Sequence, residues 1–318
     1  MDGPLSPAPV TARTGSGPSS PTPYRVRFTN LHDSRRARSL PLKLYLPDTA
    51  PAGLILFSHG LGGCRESGSA WLSHWAGRRF AAIAVQHPGS DISLLRNNSP
   101  LALRQAFRLA MNPDELSCRA DDLRFVLKRI GRERSFPDAL NAVQRIGLCG
   151  HSFGAVTVQL LAGERRPEQP AHPLDPRVTA VLALSPSARH ADKGPGLAHR
   201  FGQIHLPFLS ITGSRDDGMG LSDITAANRE LPFRHMPPGD KTLLVFAHGT
   251  HLDFAGQASQ AEGTVFPVRR EAPAFKDNLL AASSAFWRAH LAGDVDARHW
   301  LSTTFPGQLR PEDRFETK

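Results

Sequence analysis

Ser152 stands between two glycines in the segment GHSFG, residues 150–154, which is a G-x-S-x-G pattern. An apolar run, VQRIGLC, ends just before it at Cys149, and a helix-like run begins at Phe153. Such a strand–turn–helix setting requires small residues beside the serine because the turn is tight. The turn points the hydroxyl outward at the N-terminus of a helix. Ser152 is therefore the candidate nucleophile.

A serine hydroxyl becomes a good nucleophile only when a base takes its proton and an acid orients that base. With this type of turn the acid and then the histidine follow the serine along the chain, each after a later strand. The apolar run LPFLSIT leads into GSRDDG, which offers Asp216 and Asp217. We favour Asp216, which comes three residues after Gly213, and keep Asp217 as the alternative.

The histidine is sought after the last apolar run, KTLLVF, which leads into AHGTHLDF. His248 is two residues past Phe246 and still at the strand end, whereas His251 lies further into the loop. We therefore predict His251 as the base, with His248 as the alternative. A metal site formed by these histidines and Asp253 would need more ligands, and the spacing lacks the alternating H-x-H-x-D-H layout of di-zinc hydrolases. We predict no metal and no cofactor.

An early apolar run, GLILFSH, is followed by Gly-Leu-Gly-Gly at positions 60–63, a loop able to turn backbone N–H groups toward the serine. A developing oxyanion needs two such donors, one of them directly after the nucleophile. We predict the N–H groups of Leu61 and Phe153, with Gly62 as the second choice for the loop donor. His59 is expected to be a packed structural residue.

The elements that position these residues alternate along the chain. Buried-strand runs recur, separated by helix-like segments such as DELSCRADDLRFVLKRI, in which Leu116, Leu123 and Val126 share one face. This alternation predicts an α/β fold, with a mostly parallel central sheet and helices on both faces. YRVRF and LPLKLYL, flanking HDSRRARS, predict an antiparallel N-terminal hairpin.

The predicted domain organisation is a tail, one catalytic domain and a polar end. Residues 1–23, rich in proline, serine and glycine, are expected to be disordered, and 24–305 to form the catalytic domain. The polar end, 306–318, is expected to fray. Two long connections, 87–112 and 185–205, follow predicted strands. Loops in this position form the walls of binding pockets in open α/β sheets, and these two could form a lid. Three tryptophans are expected in the core: Trp71, Trp75 and Trp287.

Composition excludes several classes of protein. Of 318 residues, 40% are apolar and 21% charged, which is ordinary for a globular protein, and no apolar run is long enough to span a membrane. The net charge of +9 comes mostly from arginines spread through the chain, which favours a basic, solvated exterior over a nucleic-acid-binding surface. Three cysteines argue against a disulfide framework, and no secretory signal is seen, which predicts a cytoplasmic protein.

Together these segments resemble the α/β-hydrolase fold, and more narrowly its platelet-activating-factor acetylhydrolase and dienelactone hydrolase-like branch. The resemblance is carried by FSHGLGG, VQHPGSD, GHSFGA, GSRDD and GTHLDF, and it extends over residues 24–290. Two positions depart from it. Ala155 replaces a usual glycine, and Ser152 stands where the dienelactone enzymes proper have a cysteine, so their specific reaction is not expected.

The resemblance implies ester hydrolysis by a serine triad of Ser152, Asp216 and His251, with Leu61 and Phe153 as oxyanion donors. We predict a serine carboxylesterase acting on small-molecule, short-acyl esters, with no nucleic-acid partner; the sequence does not indicate the oligomeric state. A polyester or lipid ester, or an amide or peptide, is the alternative substrate. A non-catalytic relative that binds a ligand through the same pocket is the alternative from another class.

Overall fold

Nine strands of the described residues form the central sheet in a computed structural model of the protein. The structure describes residues 21–95, 100–132, 136–167, 169–170, 172–189, 196–220, 222–256 and 273–318. The predicted tail therefore lies almost wholly outside the described residues. In chain order the strands are β1 (Tyr24–Asp33), β2 (Arg38–Pro47), β3 (Gly53–Ser58), β4 (Phe80–Val85), β5 (Ile146–His151), β6 (Val178–Leu184), β7 (Phe208–Arg215), β8 (Lys241–Thr250) and β9 (Arg314–Thr317).

Eight α-helices connect or follow these strands in the described part of the chain. The predicted amphipathic segment after position 112 is a helix whose first turn is capped by the Asn112 side chain, which accepts from the N–H of Glu115. In chain order the helices are α1 (Ser69–Ala76), α2 (Pro100–Ala110), α3 (Pro113–Arg129), α4 (Phe153–Leu161), α5 (Leu197–Phe201), α6 (Ala226–His235), α7 (Lys276–Trp287) and α8 (Val295–Thr303).

The strand order is β1-β2-β4-β3-β5-β6-β7-β8-β9. Strands β3 to β8 are parallel, as their continuous apolar runs and intervening helices require, whereas β1, β2 and β9 run antiparallel to their neighbours. Since the central strands are parallel, the segments after β3, β5, β7 and β8 all leave at the same edge of the sheet. The predicted α/β fold with its N-terminal hairpin is confirmed.

Both faces of the sheet are buried. Along β3, Leu54 and Leu56 pack into one apolar cluster with residues of α3 and α4, while Ile55 and Phe57 pack into another with residues of α1 and α7. This alternation follows from the two-residue repeat of a strand. The second cluster holds the three tryptophans expected in the core, each 2% exposed or less: Trp71, Trp75 and Trp287.

The C-terminal end differs from the expectation of fraying. Arg314–Thr317 form β9, which pairs with β8 from Thr242 to Val245, and the N–H of Lys318 donates to the carbonyl of Lys241. Phe315 packs against Phe305, with ring centroids 5.6 Å apart. The polar residues after Pro306 are thus held by backbone pairing and one aromatic contact, and the sheet continues beyond position 305.

Candidate active site

Ser152 sits in a sharp turn between β5 and α4, at φ 55° and ψ −116°. The turn forces the backbone of α4 against β3. A Cβ atom on Gly154 would lie 1.9 Å from the carbonyl oxygen of Ser58, and one on Gly150 would lie 2.2 Å from the carbonyl oxygen of Gly154. Both glycines of the motif are therefore required by close backbone approach. The Ser152 N–H donates to the carbonyl of Leu184 on the neighbouring strand, which fixes the turn.

Three side chains from three strand ends form one hydrogen-bonded chain. The Nε2 atom of His251 lies 2.8 Å from Oγ of Ser152, and its Nδ1 atom lies 2.7 Å from Oδ1 of Asp216. A carboxylate accepts only, so its position assigns the ring proton to Nδ1 and leaves the Nε2 lone pair facing the serine hydroxyl. In this arrangement the hydroxyl donates to a ring able to take its proton.

The two aspartates after β7 have different surroundings. Asp216 is fully buried, and its Oδ2 accepts from the hydroxyl of Thr212 at 2.8 Å. Asp217 is exposed, and its carboxylate accepts from the N–H of Met219 at 2.8 Å. Of the two carboxylates, Asp216 is the one that contacts the histidine, whereas that of Asp217 binds the backbone of its own turn.

The two histidines after β8 are also separated. His248 has φ 63°, is exposed, and contacts Ser214 through its backbone N–H. His251 begins a short 3-10 turn that a capping box stabilises, since the N–H and hydroxyl of Thr250 donate to Oδ2 of Asp253 at 2.8 and 2.7 Å. Asp253 therefore fixes the turn that carries His251. Among the described residues, no group of three or more His, Cys, Asp or Glu side chains could hold a metal ion.

Burial and local charge set the protonation of the pair. Burial tends to raise the pKa of Asp216, but the hydrogen bond from His251 and the charge of Arg229 outweigh it and bring the pKa to about 2. Burial lowers the pKa of His251 below its usual value, and the bond to Asp216 opposes this only in part. The resting pair is thus a carboxylate beside a neutral imidazole.

His151, the residue between Gly150 and Ser152, supports the backbone of the other histidine. Its Nε2–H donates to the carbonyl of His251 at 3.1 Å, and the two rings are 4.8 Å apart. Burial and the neighbouring His251 lower the pKa of His151 to about 3, so the ring stays neutral. The x residue of the G-x-S-x-G motif therefore connects the serine turn to the histidine turn.

Two N–H groups of the loop after β3 already have acceptors among the described residues. The N–H of Gly62 donates to the carbonyl of Ser90 at 2.9 Å, and that of Gly63 to the carbonyl of Gly60 at 3.1 Å. Within the described residues, the N–H of Leu61 has no hydrogen-bond partner, and the N–H of Phe153 lies in the first turn of α4, which leaves it without an intrahelical acceptor. This pattern favours Leu61 over Gly62 as the loop donor.

A buried polar network holds this loop. Arg119, on α3 and fully buried, donates to the carbonyl of His59 and to the hydroxyl of Ser58, and its guanidinium lies 4.7 Å from the ring centroid of Phe153. Both ring nitrogens of His59 are engaged, Nδ1–H with the Gly60 carbonyl and Nε2 with the N–H of His87. As expected from the sequence, His59 is structural.

Two arginines, Arg119 and Arg229, reach the site without having been anticipated from the sequence. Arg229 lies on α6, and its Nε atom is 3.1 Å from Oδ1 of Asp216. The signal that could have identified them is a charged residue on the apolar face of a helix. On α3 this face includes Leu116 and Leu123, and on α6 it includes Phe233.

One side of the loop of residues 60–63, the predicted oxyanion loop, is covered by apolar side chains from the predicted 87–112 connection. A Cβ atom on Gly62 would lie 3.0 Å from Cζ of Phe107 on α2 and 3.5 Å from Cδ2 of Leu95. Residues 96–99 between them, and 190–195 of the other long connection, lie outside the described residues. The described part of the first connection is thus a wall beside the loop that follows β3.

Comparison with known proteins identifies the fold of the chain. No protein-family model and no curated protein matches the chain. Among solved structures, dienelactone hydrolase from Anabaena variabilis superimposes with a TM-score of 0.54 at 16% identity, over 84% of this chain and 98% of that one. Such low identity carries information about the fold alone, and the chain has the α/β-hydrolase fold. In the described residues, no helix is both long and apolar enough to cross a membrane.

Proposed function

We propose, from the α/β-hydrolase fold and the hydrogen-bonded chain at its strand ends, that the protein is a serine carboxylesterase. The observation that carries the proposal is the continuous contact from Asp216 through His251 to Ser152, at 2.7 and 2.8 Å. Ser152 is the nucleophile, His251 the general base and Asp216 the orienting acid. The same fold hosts many reactions, so the proposal depends on this geometry.

The first half-reaction follows from the positions of these atoms. Oγ of Ser152 attacks the ester carbonyl carbon while its proton moves to Nε2 of His251. The carbonyl oxygen becomes an oxyanion, which the N–H groups of Leu61 and Phe153 stabilise at the N-terminal end of α4. The carbon–oxygen bond to the alcohol then breaks, and Nε2–H of His251 protonates the departing oxygen, which leaves an acyl group on Ser152.

The second half-reaction returns the enzyme to its starting state. Water attacks the acyl carbon and gives a proton to Nε2 of His251, and the same two N–H groups stabilise the second oxyanion. The bond to Oγ of Ser152 breaks, and the proton on Nε2 returns to that oxygen. Asp216 stays ionised throughout and stabilises the transient imidazolium, a role for which its low pKa suits it. No step needs a metal or a cofactor.

The wall beside the oxyanion loop supports short acyl groups as substrates. Phe107 is 1% exposed and packs close to Gly62, so it limits the space beside the proposed site of attack. An apolar wall of this kind suits the hydrocarbon part of a small ester. We therefore propose acetyl to butyryl esters of small alcohols as the substrate class.

A lipid ester is the second candidate, favoured by one feature of the same helix. Leu109 on α2 and Met111 just after it are 67% and 39% exposed. Exposed apolar side chains can contact a lipid surface. Turnover that rises sharply above the critical micelle concentration of the ester would favour this candidate.

The test is a panel of p-nitrophenyl esters of graded acyl length, with wild type and Ser152→Ala compared at each length. We expect turnover to be highest for the acetyl and butyryl esters and to fall to background in Ser152→Ala. Ser283→Ala is the matched control, since Ser283 is a buried serine on α7 whose hydroxyl oxygen accepts from Nε1 of Trp75 and takes no part in the proposed chemistry. Turnover that survives in Ser152→Ala would contradict the proposal.

A further inference from the structure

Arg229, in the first turns of α6, is 4% exposed and directs its guanidinium into the candidate site. Burying an arginine is costly unless its donors find acceptors. Here Nε donates to the carbonyl of Asp216 at 3.1 Å, Nη1 to the carbonyl of Ser185 at 3.1 Å, and Nη2 to the carbonyl of Asp217 at 3.3 Å. The planar guanidinium group of Arg229 therefore connects the turn after β6 with the turn after β7.

The same guanidinium also contacts the acid and the base themselves. Its Nε lies 3.1 Å from Oδ1 of Asp216, and its Nη2 lies 3.0 Å from Nδ1 of His251. The guanidinium can only donate, and the proton on Nδ1 is directed to the nearer carboxylate oxygen of Asp216 at 2.7 Å. Arg229 thus stands on the Nδ1 side of His251, opposite the Nε2 atom that faces Ser152.

We propose that Arg229 is a positioning residue, which fixes the Asp216 turn against the end of β6 and, through the carboxylate of Asp216, keeps His251 with Nε2 aimed at Ser152. The inference rests on the proposed serine esterase mechanism for its effect on turnover. Arg229 does not touch the reacting atoms; it acts through Asp216 and His251. A lysine in its place would keep the charge but lose the planar guanidinium group that reaches three carbonyl groups.

The fixed charge of Arg229 has a consequence that a purely structural residue would not have. In the part of the chain that the structure describes, the titratable and charged groups that act on His251 are Asp216 and Asp217 after β7, Arg229 on α6 and His151 on β5. Apart from burial, Arg229 opposes a positive charge on His251, whereas the two carboxylates favour it. Removing the arginine should therefore let His251 become protonated at higher pH.

The experiment measures kcat/KM for p-nitrophenyl acetate as a function of pH in wild type, Arg229→Gln and Arg229→Lys. The quantity compared is the acid limb, the pH range over which kcat/KM falls as the pH is lowered. We expect the limb of Arg229→Gln to move up by about one pH unit, because a like charge within hydrogen-bond distance has been removed. Arg229→Lys should keep the wild-type limb but lose kcat about tenfold, with KM little changed, because the positioning is weakened. An acid limb of Arg229→Gln that coincides with that of the wild type would overturn the proposal.

Arg200→Gln is the matched control. Arg200 on α5 is 5% exposed and pairs with the buried Glu164 at 2.5 Å, so it matches Arg229 in burial and in pairing with a carboxylate. It should lower the melting temperature without moving the acid limb. If Arg229→Gln does not fold, Arg229→Lys carries the test, and a kcat equal to that of the wild type would then contradict the positioning role.

A second measurement separates this inference from the proposed function. The pKa of His251 can be titrated by NMR in the absence of substrate, with its signals assigned by comparison with His251→Gln. A higher pKa in Arg229→Gln than in wild type supports the role of Arg229 even if no ester is turned over. Equal pKa values would reject it even if the protein is an active esterase.

Discussion

The carbonyl oxygen of Ser58 lies 1.9 Å from the point where a Cβ atom of residue 154 would stand. This places the first turn of α4 directly against the end of β3, so that Phe153 and the loop after β3 come together. The close backbone approach of Gly154 to Ser58 therefore helps to fix the serine turn relative to the loop of residues 60–63. Stability and site geometry should both depend on it.

Gly154→Ala should consequently destabilise the fold. The added methyl group cannot be accommodated without moving β3 or α4, and we expect the free energy of unfolding to fall by about 3 kcal/mol. Urea denaturation followed by circular dichroism measures this. Ala155→Gly is the control, since it introduces no clash and should lose about 1 to 2 kcal/mol, from helix propensity and from one buried methyl group. Equal losses in the two variants would show that the Ser58 contact is not tight.

The two aspartates after β7 should differ sharply in their effect on turnover. Asp216→Asn removes the charge that holds the Nδ1 proton of His251, and we expect kcat to fall by about three to four orders of magnitude. Asp217→Asn changes an exposed carboxylate, and turnover should stay within about a factor of two. The kinetics of both variants with p-nitrophenyl acetate test this. The reverse order of effects would assign the acid to Asp217.

The two histidines after β8 provide a similar comparison. His251→Ala removes the group that lies 2.8 Å from the serine oxygen, and kcat should fall by about 10⁴-fold or more. His248→Ala removes an exposed side chain and should leave kcat/KM close to that of the wild type. A large loss in His248→Ala alone would reject His251 as the base.

The pH dependence follows from the direction of the His251 shift. The ring must be neutral to accept the serine proton, and burial lowers its pKa below the usual 6.5. Activity should therefore be retained at pH 6.5 and be lost as the pH falls further and the ring takes up a proton. A profile of kcat/KM between about pH 4 and pH 8 measures this limb. A half-maximal value above pH 7 would contradict the assigned environment of His251.

Much of the fold could be predicted because the signals are local. The runs that form β3 to β8 are apolar and bounded by turn residues, and a parallel sheet follows from the helices between them. β9 could not be predicted in this way, since RFET is short and polar. It becomes a strand only because β8 presents an open edge to it. The same pairing explains why the chain after Pro306 is ordered.

The candidate site was predictable to the extent that it depends on chain order and strand ends. The choices between Asp216 and Asp217, and between His248 and His251, depend on which way neighbouring residues point, and the structure brings Asp216 and His251 to Ser152. From the sequence Arg229 stands out only as a charged residue on the apolar face of α6. Its role could not be inferred, because its acceptors belong to the turns after β6 and β7, which meet only in the folded chain. No local pattern encodes such a meeting.

The most direct test of the central claim is the site at which a fluorophosphonate modifies the protein. The folded enzyme is allowed to react, and the modified residue is then identified by mass spectrometry of its proteolytic peptides. A nucleophilic serine hydroxyl displaces fluoride and forms a stable phosphonyl ester. We predict one adduct per chain, on Ser152, which is absent from Ser152→Ala and formed far more slowly in His251→Ala. An adduct on another residue, or undiminished labelling of Ser152→Ala, would contradict the assignment of Ser152 as the nucleophile.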